Sequence, residues 1–344
     1  MRKIRHRHVF RGRHRSGFAL AAVLWLLAGL TILAAMISQS SQTLAKRQAQ
    51  LRQRADAEQD FLSTRSEALY WLASSRVRAD SYGWGDQYLK VNGRGYAGVG
   101  KSVIQVQDTR GLLGLNRPNR DRLGPLLLRC GATQSQIDSL LDALQDYQEP
   151  GNLKRLNGAK ALEYIMAGMP PPRGAPLAAE PEIWQVYGWK ALQPVWEEKH
   201  CFEDVTVHGD SGFNIGTATA GVLTSYGLSG EQTDQLLRER ESDDSGLMDI
   251  LTARDRATSF MGMGSTQGAG QEFRVTQSMP GMPWVLRYDL KLTTDVEGRP
   301  WELSAPRRLP LPSVMIPAGR AAWPQIDEIS ETELNAITQP KLPF

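Results

Sequence analysis

The chain has 344 residues, more than one ordinary domain holds, and its 41% hydrophobic and 22% charged residues describe globular material rather than a disordered chain. A mean hydropathy of −0.37 excludes a multi-span membrane protein, and two cysteines, Cys130 and Cys201, exclude a disulfide scaffold and a four-cysteine zinc site. The net charge of +3 hides an asymmetry: of 40 Lys and Arg, seven (Arg2, Lys3, Arg5, Arg7, Arg11, Arg13 and Arg15) lie in residues 1–17 with no acid among them, so the remainder is net acidic.

From Phe18 to Ile37 the run FALAAVLWLLAGLTILAAMI carries no charge. At about 1.5 Å per residue it reaches roughly 30 Å, the thickness of a bilayer's hydrocarbon core. The run is longer than the roughly 7–15 apolar residues of a cleaved secretory signal. The basic residues ahead of it act as a topology signal rather than a nucleic-acid arm, holding the amino end in the cytoplasm. Beyond the span, Leu44, Leu51, Ala55, Leu62, Leu69 and Leu72 recur at helical intervals, with no proline between Phe18 and Asp80 and Gly29 the only glycine. One helix is predicted over 18–78, with the membrane span at 18–37.

This amino end resembles the type IV prepilin-like signal: a basic leader closing on glycine, then phenylalanine and a continuous apolar helix. The resemblance implies that a prepilin peptidase cuts RSGFAL between Gly17 and Phe18 and that Phe18 becomes N-methylated. Most members carry glutamate at the fifth mature position, where this chain has Ala22. In the family that carboxylate pairs with a neighbouring subunit's amino terminus, so its absence suits a subunit that starts or caps a fibre. Among type II secretion pseudopilins, the minor pseudopilin K family is known for this absence.

Further along, Val103–Val106 is predicted as a strand, and Asp121–Leu128 and Ser135–Tyr147 as helices separated by Gly131. The stretch around Phe213–Ala218, Leu223 and Leu236–Leu237 echoes Leu113–Pro118, Leu123 and Leu140–Leu141, which predicts two related helical modules packed face to face. A proline-rich loop, Pro170–Trp189, feeds a short amphipathic segment at Glu182–Tyr187. Strands are predicted at Glu272–Val275, Trp284–Leu292 and Trp301–Leu303, with a turn at Glu297–Gly298.

Over residues 12–305 the order of motifs resembles the K family: DTRGLLGLN, PPRGAP and NIGTA stand in sequence. Gly174 and Gly216 occupy positions where the family has asparagine, and DYQE (Asp146–Glu149) replaces an acidic D-W-x-D stretch. The resemblance implies an α+β fold: a pilin-like long amino-terminal helix and antiparallel sheet, interrupted by a large helical insert related to SAM-like and helix-hairpin-helix modules. The implied division is a leader at 1–17, the helix at 18–78, a pilin-like domain from 79–110 and 265–310, the insert at 111–264, and a poorly ordered tail at 311–344. It also implies a non-enzymatic, single-pass inner-membrane subunit with its bulk in the periplasm. The implied place is the tip of the pseudopilus, with minor pseudopilins I and J as partners, and with H and the major pseudopilin G.

Rival motifs carry other chemistry. Gly95, Gly100, Lys101 and Ser102 spell a phosphate-binding G-x-x-x-x-G-K-[ST] loop, which must open a helix to work; VIQVQDTRG reads instead as a strand. The paired helices also resemble DNA-gripping modules of an uptake apparatus, but ERESDDSG and the net-acidic mature chain argue for packing rather than nucleic acid. No resident cofactor is implied. Asp108, Asp146, Glu149, Asp243 and Asp244 are candidates for Ca²⁺, although a solvated acidic surface explains them as well. His200 and His208 flank Cys201 without a zinc spacing, and a surface strand accounts for them. An oxidising compartment would allow Cys130 and Cys201 to pair; two separate thiols remain the other outcome, and the sequence does not choose.

Overall fold

A computed structural model describes residues 16–208, 212–241, 269–293, 300–311 and 321–324. The chain divides into two units, Met1–Glu58 and Gln59–Phe344. Helix α1 runs from Ser16 to Ser74, a stretch rich in Ala, Leu, Gln and Arg without proline. It ends four residues short of the expected boundary. The Ser75 amide closes the last turn on Trp71 O at 2.9 Å, and Arg76–Val77 already form a strand, β1.

The second unit is built on antiparallel strands. The first three, β1, β2 (Ser81–Trp84) and β3 (Gln87–Lys90), make a small sheet. The main sheet has the order β10-β9-β8-β5-β4, with β11 also on β9: β4 is Asn92–Ala97, β5 Val103–Asp108, β8 Glu272–Ser278, β9 Trp284–Leu292, β10 Trp301–Leu303 and β11 Arg307–Pro310. The fold is therefore α+β. The expected β9 and β10 have the observed bounds, and β5 and β8 run further than their apolar patterns predict.

Between β5 and β8 come short helices: α2 (Arg120–Arg129), α3 (Ile137–Gln148), α4 (Ala161–Met166), α5 (Gln193–Glu198), α6 (Ala220–Ser225) and α7 (Gly230–Glu241). Asn119 caps α2 by accepting the Asp121 amide, and Thr219 caps α6 through Val222. The predicted segment at Glu182–Tyr187 is a 3₁₀ turn over Glu180–Gln185. A surface strand at His200–His208 does not form: Cys201–Asp204 is another 3₁₀ turn, and the buried strand β7 (Val205–Thr206) pairs in parallel with β6 (Leu113–Gly114).

Two apolar cores result. In one, Ala68, Leu69, Trp71 and Leu72 at the end of α1 pack on Tyr82, Ile104, Val106, Phe273, Val275 and Tyr288 of the strands. Trp71 Nε1 donates to Tyr82 O at 2.8 Å, so the indole packs without stranding its donor. In the other, Leu123, Leu140, Leu141, Leu223 and Leu236, the residues of the internal echo, share one cluster with Trp189 and Trp196. Fully burying each leucine contributes about 1.5–3 kcal/mol.

The expected turn at Glu297–Gly298 lies outside the described residues, as does most of the expected tail. Where that tail is described it is ordered by the sheet. Leu311 donates to Pro283 O, Ala321 pairs with Tyr96 of β4, and Trp323 packs edge-on against the Tyr96 ring.

Candidate functional site

The amino-terminal helix presents apolar residues on every side. Phe18, Leu20, Leu24, Trp25, Leu27, Ile32 and Leu33 are all exposed, and Ala22 lies among them. The described helix is long and apolar enough to cross a membrane, its best window reaching a mean hydropathy of 2.5. A helix apolar all round is at home only in a non-aqueous surrounding, so this one fits a single-pass membrane anchor. Gly17 and Phe18 lie within the helix, which starts at Ser16.

The sequence GYAGVGKS supplies the end of β4, Gly95 to Ala97, and the turn 98–102 that leads into β5. Gly100 takes φ +63°, and the strand β5 starts at Val103, where a phosphate loop would open a helix. The Ser102 hydroxyl, which such a loop would offer to Mg²⁺, is buried and bonded to Thr64 Oγ1 at 2.6 Å and Val99 O at 2.8 Å. The glycines and serine here shape a hairpin against α1.

The three motifs in family order are brought together as internal struts. Asp108 ends β5 wholly buried, and its carboxylate accepts from the amides of Arg110 and Gly270, each at 2.9 Å, and from Asn214 Nδ2 and Thr217 Oγ1, each at 3.3 Å. Burial raises the Asp108 pKa above the usual carboxylate range, and these donors work against that rise. Asn214 Nδ2 also reaches Ala79 O at 2.8 Å, and a side chain at Gly111 would collide with Thr217 O. Asn116 donates to Leu177 O and Val207 O and accepts the Leu177 amide, pinning the end of the PPRGAP loop. Within that loop Gly174 has φ +66°, a conformation asparagine also tolerates.

The other candidate ligands are likewise engaged. Asp146 and Glu149 both pair with Arg155, at 2.9 and 2.5 Å. Asp243 and Asp244 lie outside the described residues. Among the described residues no group of three potential ligands could hold a metal ion. His208 Nε2 lies 3.4 Å from Asp289 Oδ2, a contact that raises the histidine's pKa, and His200 sits in a left-handed turn at φ 51°. Cys130 and Cys201 are joined in a disulfide with their Cα atoms 6.3 Å apart, closing 71 positions of chain inside the helical core.

Sequence reasoning missed a buried ion cluster. Glu180 pairs with Arg274 of β8 at 2.9 Å and with Arg307 of β11 at 3.0 Å, and Glu203 pairs with Arg287 of β9 at 2.8 Å. Burial alone would push the Glu180 carboxyl up, but Arg274 and Arg307 outweigh it and hold it at about 2. The signal in the sequence was the alternation in EFRV: Phe273 and Val275 face the core under α1, so Arg274 faces the other side. That side is covered by the helical segments rather than by water.

These features give an apolar helix that fits a single-pass membrane anchor and an α+β body in which Asp108, Asn116 and Asn214 hold segments together. No protein-family model and no curated protein matches the chain. The chain is similar to one in the crystal structure of the GspK-GspI-GspJ complex from the enterotoxigenic Escherichia coli type 2 secretion system. They share 15% identity at a TM-score of 0.46, and the match covers 75% of this chain and 99% of that one.

Proposed function

We propose that the chain is a minor pseudopilin of the type II secretion system, a structural subunit rather than a catalyst. The observation that carries this reading is the amino end: a basic leader closing on Gly17, then the apolar stretch 18–37 without a carboxylate, with Ala22 at the position where most pilin-like subunits have glutamate. The ordered motifs support it, since Asp108, Asn116 and Asn214 are spent on holding segments together. In this reading the prepilin peptidase releases Phe18 for N-methylation, the helix spans the inner membrane with its amino end cytoplasmic, and the body lies in the periplasm. The subunit sits at the tip of the pseudopilus, helps to start its assembly for export of folded proteins, and joins minor pseudopilins I and J, then H and the major pseudopilin G. Co-purification tests this: the mature chain should retain I and J through size exclusion. Elution of each alone would defeat the reading.

A further inference from the structure

Where the turn over Glu180–Gln185, helix α5 and the turn over Cys201–Asp204 meet β9 and β11, they leave a cavity of about 270 Å³. Pro181, Trp196, Phe202 and Leu309 give it apolar walls. Trp196 is fully buried and held edge-on by Trp189 and Phe202, with ring centroids 5.7 and 5.8 Å away, so this wall is fixed in shape. Two arginines also line the cavity, and neither is fully used. Arg287 is 5% exposed; its Nε donates to Thr276 at 3.0 Å and its Nη2 to Glu203 at 2.8 and 2.9 Å, while Nη1 has no partner among the described residues. Arg307 donates from Nη2 to Glu180 Oε2 at 3.0 Å, and its Nε and Nη1 have no partner there either. The neighbouring acids are already taken: the other Glu180 oxygen accepts from Arg274 at 2.9 Å, and Glu197, exposed, accepts from Gln193 at 2.7 Å. The Nε1 of Trp196 and the Nδ1 of His200, which lines the same cavity, are buried without partners among the described residues.

Buried guanidinium N–H groups are normally paired, and an open one in a cavity calls for an acceptor. Burial pulls the Arg287 pKa below its ordinary value; Glu203 resists this and Arg274 adds to it, so the site is short of negative charge. We propose that the cavity binds an apolar monocarboxylate, its carboxylate on Arg287 and Arg307 and its hydrocarbon part between Trp196, Phe202 and Leu309. Charge sets the class. Arg274, Arg287 and Arg307 meet Glu180 and Glu203, and the third acid, Asp289, is 3.6 Å from Arg307 and shared with His208 at 3.4 Å. At most one positive charge is left over, which a monocarboxylate matches and a dianionic phosphate exceeds. Size agrees, because the volume lies just below that of drug-sized pockets and suits a ligand of about ten non-hydrogen atoms. A free aromatic acid and the carboxyl-terminal residue of a polypeptide share this chemistry. The inference rests on the body of the protein alone and holds whether or not the chain is a pseudopilin.

Fluorine NMR on the full chain in a non-ionic detergent tests it, with protein-free micelles as the blank. The probes are para-fluorohydrocinnamate and a capped peptide ending in para-fluorophenylalanine with a free carboxylate. Saturable binding of at least one is expected, about ten-fold tighter than that of para-fluorohydrocinnamide, which has the same ring and no charge. Leu309→Trp fills the cavity from its apolar side, and Arg287→Lys keeps the charge but gives up the open Nη1. Each should weaken binding by a similar factor, with the Cys130–Cys201 bond intact. Tighter binding of the peptide would support the proposal with a polypeptide end as the ligand, and tighter binding of the hydrocinnamate would support it with a small acid. The comparison of acid with amide is made on the unaltered chain and stands even if a variant fails to fold. No saturable binding of either probe would overturn the proposal. So would equal affinity for the amide, or an affinity unchanged in both variants.

Discussion

Asp108 Oδ2 accepts the amide of Gly270 at 2.9 Å across 162 positions of chain. The same carboxylate holds Asn214 and Thr217, so one side chain locks the end of β5 to the segment between β7 and α6 and to the return of the sheet. Asp108→Ala would remove the acceptor of the buried Gly270 amide and of the Arg110 amide, at about 1–3 kcal/mol each before relaxation, while Asn214 and Thr217 keep their bonds to Ala79 O and Asn214 O. We expect the full chain in detergent to lose several degrees in melting temperature. Asp108→Asn keeps one acceptor oxygen and should lose less. Equal melting of the alanine variant and the parent would refute the strut.

Acid should loosen the body through Glu180. Its folded pKa of about 2 lies below the ordinary glutamate value of 4.5, so its contribution is complete above pH 4.5 and is lost as pH falls towards 2. The shift corresponds to something on the order of 3 kcal/mol. Glu180→Gln should flatten the acid limb of a denaturation profile between those values, and a limb identical to the parent's would assign the acid sensitivity elsewhere.

Thiol chemistry checks the pairing of Cys130 and Cys201. Under denaturing, non-reducing conditions neither should take up a maleimide, and both should after reduction. In the chain-entropy view, closing a loop of 71 positions adds roughly 4 kcal/mol, so Cys130→Ser/Cys201→Ser should melt well below the parent. Two labelled thiols before reduction would end the idea.

Processing should occur between Gly17 and Phe18. Mass spectrometry of the mature chain is expected to find N-methyl-Phe18, and a bulky residue at Gly17 should leave the precursor uncut, because close approach to the scissile bond needs a residue without a side chain. A mature terminus within LAAMIS would point to ordinary signal cleavage.

Ala22→Glu should bring no gain in secretion. An unpaired carboxylate in the bilayer costs about 3 kcal/mol, so the variant is expected to be retained less well in membranes. Assembly of this variant in many copies along a fibre would contradict a place at the tip.

Much of this architecture could be read from periodicity. The long helix, the helices at 120–129 and 137–148, and strands β9 and β10 follow from apolar spacing alone. Strands β2 and β3 escaped because SYGW and QYLK are short, one of them broken by glycine, and β11 escaped because it follows Pro306 and ends on Pro310. The ion cluster was illegible for another reason. Alternation says that Arg274 faces away from Phe273, but not that Glu180, 94 positions earlier, covers that face. The motif residues Asp108 and Asn116 could be picked out as a pattern, while their work as struts depends on partners that only the fold brings near.

The neighbours β5 and β8 have consequences in time as well as space. Thr109 and Glu272 lie 163 positions apart, yet Val103 to Asp108 pair residue for residue with Ser278 to Phe273. The central ladder cannot begin until most of the polypeptide has been synthesised, whereas the disulfide-closed helices need only the stretch that precedes it. Folding should therefore be staged, with the helices compact early and the sheet zipping late across a large loop, which slows it. Until that moment β5 and the end of α1 remain without their largest apolar neighbours, and a chain truncated before Glu272 should be a ready substrate for proteolysis.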